Sequence, residues 1–274
     1  MDRPRLRDSN RLTDLDLYPL NKFPKDLVTS VGAYFVYLLY IGRKDISGTD
    51  WGDAFADAID GTHLDSPVGI ADVVKGKQCW SMKTVKNDNP FTCNNIRLIS
   101  GRCSPDYSYG ITDPHEDIQK TGEAVLGIWN ERVNIATDHY SQVRTSILIR
   151  SSDLLSYCLF EEDTGRFRTS DYHWEVNQNG NLIGKDNEGK TKFTWQPHGS
   201  QFTIHVEVPE DATRFTIKAP PILSKNSVLK SIDFDESWIT IIQDAKEYLT
   251  DKRLKAYAEG LSDKNIPRTG ELCH

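Results

Sequence analysis

Within GIADVVKGKQCWSMKTVK, residues 69–86, an acid, a hydroxyl and an amine (Asp72, Ser81 and Lys83) stand among residues that suit β-strands. Burying a carboxylate and an ammonium costs several kcal/mol unless pairing or a metal offsets the loss of water. A functional site is one such offset. With Gly76 and Lys77 at the centre of a hairpin turn, Val74 falls opposite Cys79, Val73 opposite Trp80 and Asp72 opposite Ser81. Side chains alternate along a strand, so Asp72, Ser81 and Lys83 are expected on one face of the sheet and Val73, Trp80 and Met82 on the other. A carboxylate beside a lysine can hold a divalent cation and position a water. Magnesium takes oxygen ligands, keeps several waters and needs few protein carboxylates, while the lysine orients or helps activate the water.

The element that must position a further acid precedes the hairpin. Residues 49–60, TDWGDAFADAID, place Trp51, Phe55 and Ile59 at spacings of four with Gly61 after them, the pattern of an amphipathic helix with a stop. Asp53, Asp57 and Asp60 line a second face of that helix. AYFVYLLYIG, residues 33–42, is too short to cross a bilayer and reads as a buried core segment. Asp113-Pro114 reads as an N-cap followed by proline at the first helical position, opening a helix that runs through EAVLGIWNERVNIATDHY. From about residue 145 the texture changes to short alternating runs, TSILIR, LLSYCLF, YHWEVN, KTKFTW, QFTIHVEV and RFTIKA, with turns at Asn179-Gly180 and Glu188-Gly189. The expectation is an α/β (α+β) chain folded as one compact unit over 1–274. Residues 1–145 hold the hairpin and its flanking helices, 146–235 are β-rich, and 236–260 form a C-terminal helix.

Composition narrows the classes. Six Trp, 38% hydrophobic and 27% charged residues describe an ordinary globular chain, and a net charge of -7 argues against a surface basic all over while allowing a local basic cleft. The five cysteines form no CxxC pair and leave one over, which points to neither a zinc cage nor a closed disulfide set and fits a reducing, cytoplasmic setting. Charges run through the first 20 residues without an apolar core, so a secretory signal is not expected. The histidines show no HxxxH or HExxH spacing, and GxSxG and GxxxxGK[ST] do not occur, so zinc-hydrolase, serine-hydrolase and P-loop chemistry lose support.

The hairpin and helix together resemble the PD-(D/E)XK nuclease superfamily, and within it the type II restriction endonucleases. Asp72 matches the first acid of that pattern and Lys83 the lysine. Ser81 stands where the second acid usually stands; Pro67 is displaced, and Ala71 precedes Asp72. The resemblance covers about residues 50–86 and is to a Ser-x-Lys variant that recruits its acid from elsewhere. It implies a mixed central sheet flanked by helices and Mg²⁺-dependent hydrolysis of phosphodiester bonds in double-stranded DNA. Asp72 is then the principal metal ligand, Asp53 or Asp57 the auxiliary acid, the Met82 carbonyl a further ligand and Lys83 the residue that orients water. It also implies a homodimer acting on a palindrome and a companion DNA methyltransferase that protects the host. Arg97 and Arg102, flanked by small and turn-forming residues, and Lys86 at the strand end are candidates for contacts to DNA. Three other readings stay open on the residues alone. Asp72 and Lys83 can be a structural ion pair; the β-rich half can be a noncatalytic module that grips a ligand or protein through Trp and Tyr; or the same fold can serve repair or recombination.

Overall fold

Gly76, at φ 57°, turns the chain between β2 (Ala71–Lys75) and β3 (Gln78–Lys86), and a two-residue loop led by glycine fixes the pairing of both strands. Val73 pairs with Trp80 and Val74 with Cys79, the register expected from sequence. The structure is a computed structural model that describes residues 17–242 together with 246, 248, 250–252 and 255. The chain divides into two compact units, one up to Ile222 and one from Leu223, where a single unit is expected from sequence.

In the first unit, α1 (Lys25–Tyr40) and α2 (Gly48–Ile59) lead into β1 (Thr62–Val68), β2 and β3. The chain continues through β4 (Asn95–Arg102), α3 (Pro105–Tyr109) and α4 (Ile118–His139) to β5 (Gln142–Arg150) and β6 (Ser156–Asp163). Then follow β7 (Tyr172–Val176), β8 (Leu182–Asp186), β9 (Thr191–Gln196), β10 (Gln201–Glu207) and β11 (Thr213–Thr216). Two sheets result, one ordered β1-β2-β3-β5-β6-β11 and the other β4-β10-β9-β8-β7. Within the first, β3 and β5 run parallel and every other pair is antiparallel. The fold is therefore mixed α+β, as its class is read from sequence. The division expected at residue 145 does not separate two bodies: β5, β6 and β11 complete the sheet that β1–β3 begin, and β4 leaves to pair with β10.

The six-stranded sheet is covered on both faces. Against one pack α1 and α2, whose Phe35, Trp51 and Phe55 meet Val73, Trp80 and Leu148 in one core. Trp51, Phe55 and Trp80 form a chain of edge-on rings at 5.4 Å per step. Burying each phenylalanine there contributes roughly 1.5–3 kcal/mol. The other face carries Cys79 and Val143 against Trp129 and Val133 of α4 and against Trp174, Phe193, Trp195 and Phe202 of the five-stranded sheet. Those aromatics of the alternating runs are core, which is the ordinary fate of such residues.

Helix α2 begins with a capping box: the Ser47 hydroxyl accepts from the Asp50 amide and the Asp50 carboxylate from the Ser47 amide. It ends at Asp60, left-handed at φ 52°, one residue before the glycine expected to stop it. α4 departs further from expectation. Asp113 closes a local turn by accepting the His115 amide at 2.9 Å, and the N-cap is Asp117, whose carboxylate accepts the Lys120 amide at 3.0 Å. The Asp113-Pro114 pair thus shapes the approach, and the helix starts four residues later. β8 lies in a stretch not read as a strand, held between β7 and β9. In the second unit α5 spans Lys225–Ser231, and Glu236–Trp238 is a single 3₁₀ turn. The C-terminal helix expected over 236–260 falls mostly outside the described residues.

Candidate active site

Regular pairing between β2 and β3 covers Val73–Trp80, Val74–Cys79 and Lys75–Gln78, and one residue further the Asp72 side chain takes over from the backbone. Its Oδ2 accepts the Met82 amide at 2.7 Å and the Ser81 hydroxyl at 3.3 Å, and Lys83 Nζ stands 4.0 Å away. The acid, hydroxyl and amine picked from sequence are thereby brought together. Met82 packs its side chain into the helix-side core while its amide faces Asp72. In an extended residue the N–H and C=O point to the same edge, so the Met82 carbonyl is directed to the gap where β2 and β3 part. Asp72 Oδ1 makes no hydrogen bond among the described residues.

Lys83 holds its proton less tightly than an ordinary lysine. Burial is the main cause; Asp72 opposes the shift and the positive charge of Arg132 adds to it. Arg132 comes from α4, where its guanidinium donates to the carbonyls of Ser100 and Arg102 at the end of β4. Arg132 is not legible from sequence, because a single basic residue in a long amphipathic helix carries no local signal.

Asp72, Met82 and Lys83 line a cleft of about 550 Å³ that Gly48, Thr49 and Asp53 of α2 also line. A further wall is β1, the edge strand. Its pairing with β2 is interrupted between His63 and Val68, and Leu64, Asp65 and Pro67 of that irregular stretch face the cleft. An irregular edge strand beside a concave site is a common way to aim side chains. Pro67, displaced from its usual place in the pattern, is therefore still a wall of the cleft.

Of the two acids offered by α2, Asp53 lines the cleft, whereas Asp57 is exposed and outside the cleft wall. Asp53 Oδ1 lies 2.7 Å from Nδ1 of His63. His63 carries no signal in sequence, because its strand, THLDSPV, shows no clean alternation and its spacing fits no metal motif. The residues proposed to touch DNA are not gathered with the cluster. Lys86 is exposed at the far end of β3, and Arg97 lies on the outward side of β4 opposite His205. Arg102 is exposed at the end of β4, where its carbonyl serves Arg132.

No group of three or more His, Cys, Asp or Glu is arranged to hold a metal among the described residues. The donor set nonetheless fits a hard cation that keeps much of its water, since Asp72 and Asp53 each retain an unengaged carboxylate oxygen and the Met82 carbonyl faces the same gap. Among the described residues no thiol lines the cleft; Cys79 and Cys103 are buried elsewhere, and burial pushes their thiols up to about 12 and about 11. No protein-family model matches the chain, and neither a curated protein nor a solved structure matches it.

Proposed function

We propose that the protein is a Mg²⁺-dependent endonuclease that hydrolyses phosphodiester bonds of double-stranded DNA at a specific sequence, in the manner of the type II restriction enzymes its hairpin resembles. The observation that carries this reading is the convergence of the Asp72 carboxylate, the Lys83 amine and the Met82 backbone at the wall of one cleft that Asp53 also lines. The mixed sheet with a helix pair on one face and a helix on the other is the setting that resemblance implies.

Asp72 and the Met82 carbonyl, with Asp53, would hold the cation, which when bound supplies charge stabilisation at the scissile phosphate and a more acidic water. Lys83 does the chain's own proton work. Burial lowers its proton affinity, so the amine gives up its proton more readily than an ordinary lysine and, once neutral, accepts one from the water that attacks phosphorus. Ser81 donates to Asp72 and keeps that carboxylate turned towards Lys83. Among the described residues three carboxylates, Asp53, Asp65 and Asp72, line the cleft against one lysine, Lys83, so a polyanion enters it more readily when cations neutralise them. That is a physical reason for a divalent-metal requirement. A homodimer on a palindrome and a companion methyltransferase belong to the same proposal.

The noncatalytic alternative asks the β-rich half to grip a ligand with Trp and Tyr, but Trp174 and Trp195 are buried in the core and Tyr172 packs edge-on against Phe167 and Phe193. Incubation of purified protein with supercoiled plasmid and Mg²⁺ tests the proposal. Discrete fragments support it. A smear or structure-dependent nicking points to repair or recombination chemistry, and no cleavage with any divalent cation refutes nuclease activity.

A further inference from the structure

The His63 ring is held from two sides. Its Nδ1 stands 2.7 Å from Asp53 Oδ1, and because a carboxylate only accepts, the ring nitrogen facing it carries the proton and donates. On its other side the ring lies against the helix at Gly52. A Cβ added there would come within 2.6 Å of both Cε1 and Nε2, closer than real Cβ atoms approach, and within 3.0 Å of Cδ2. Gly52 sits inside α2, where glycine weakens a helix relative to alanine, and its bare backbone is what lets the ring lie down beside Asp53.

Asp53 needs such a partner. Its side chain is 45% exposed on a helix face, where an unpaired carboxylate turns among its rotamers, and the His63 contact is its one hydrogen bond among the described residues. We infer that His63 is a positioning residue for Asp53: the imidazole, seated on Gly52, fixes one carboxylate oxygen and leaves the other free at the cleft for a divalent cation shared with Asp72. The inference rests on the nuclease reading of the cleft and adds to it a three-residue device, Gly52, Asp53 and His63, that sets cation affinity. Outer partners of metal-binding side chains commonly control affinity by 10–100-fold.

Calorimetric titration of the full chain with Mg²⁺, and separately with Mn²⁺, tests this without DNA and without turnover. His63→Ala is expected to weaken cation binding by about 10–100-fold, and Gly52→Ala to do the same by displacing the ring although it alters no group that touches the cation. His63→Asn, whose amide nitrogen stands near the position of Nδ1, should restore most of the affinity; thermal melts confirm that each variant is folded. Unchanged affinity in both His63→Ala and Gly52→Ala, with a wild-type protein that binds the cation and cuts DNA, overturns the positioning role and leaves the nuclease reading intact. Equal weakening in His63→Asn and His63→Ala also overturns it, since packing rather than the hydrogen bond would then matter. A wild-type chain that neither binds a divalent cation nor cuts DNA overturns both.

Discussion

Two acid–base pairs lie on the six-stranded sheet and are built in opposite ways. Arg144 of β5 and Glu161 of β6 meet at 3.1 Å with side chains 4% and 0% exposed. Glu161 Oε1 also accepts from the Tyr18 hydroxyl at 2.7 Å and the Trp80 indole at 2.8 Å, while Arg144 donates to the Tyr18 carbonyl at 3.2 Å. Burial raises the Glu161 carboxyl above its ordinary range, and the hydrogen bond from Tyr18 is the strongest force drawing it back, with Arg144 and Trp80 behind it. This pair clamps the segment at Tyr18 to the sheet. Asp72 and Lys83, by contrast, are each 22% exposed, stand 4.0 Å apart and open on a cleft. A satisfied, sealed pair holds the fold; a loose pair with an oxygen to spare has capacity for a ligand.

Breaking each pair should show that difference. Glu161→Ala removes the carboxylate that Arg144, Tyr18 and Trp80 share, and breaking a buried pair of this kind costs about 3–5 kcal/mol. Denaturant unfolding should show that loss, and a loss under about 1 kcal/mol would mean the pair is less sealed than its contacts indicate. Lys83→Ala should do the reverse. Asp72 keeps its Met82 and Ser81 donors, so stability changes by less than about 1 kcal/mol, while plasmid cleavage falls by about 10²–10⁴-fold.

pH sharpens the contrast. Lys83 releases its proton below the ordinary lysine value, so the cleavage rate should rise with pH and level off before the range near 10.4 where free lysines titrate. The stability sign follows from the same shift. Between the folded and unfolded values the unfolded chain holds more protons, so the protein gains stability as pH rises through that window, and Lys83→Met removes both effects. The smallest change is expected for Ser81→Ala, which deletes a 3.3 Å hydrogen bond: about 0.5–1.5 kcal/mol of stability at most, with cleavage close to wild type. A large activity loss there would give the serine more than a supporting part.

The hairpin was legible because a glycine-led two-residue loop leaves one register, and that register alone places Asp72 beside Ser81 and Lys83. α2 was legible from Trp51, Phe55 and Ile59, but not which acid matters, since both Asp53 and Asp57 lie on the face those residues leave outward. Only the docking of the helix against Val73 and Trp80 turns Asp53 to the cleft. β1 is not legible from sequence, because an edge strand whose pairing is interrupted and which carries a proline loses its period of two, and His63 goes with it. The interleaving of the sheets was hidden for another reason. β4 pairs Ile96 with Val206 and Leu98 with Ile204, partners remote in the chain that no local pattern names. Arg144 and Glu161 were overlooked because hydropathy assigns charges to the surface, and only a complete set of donors makes their burial tolerable.

Asp72→Asn gives the most direct test of the central claim that this hairpin cuts DNA, measured as Mg²⁺-dependent cleavage alongside a gel shift on the same DNA. The change removes the anion but keeps the side chain's shape. The expected result is retained DNA binding with cleavage abolished. Cutting by Asp72→Asn at the wild-type rate would contradict the assignment of the site.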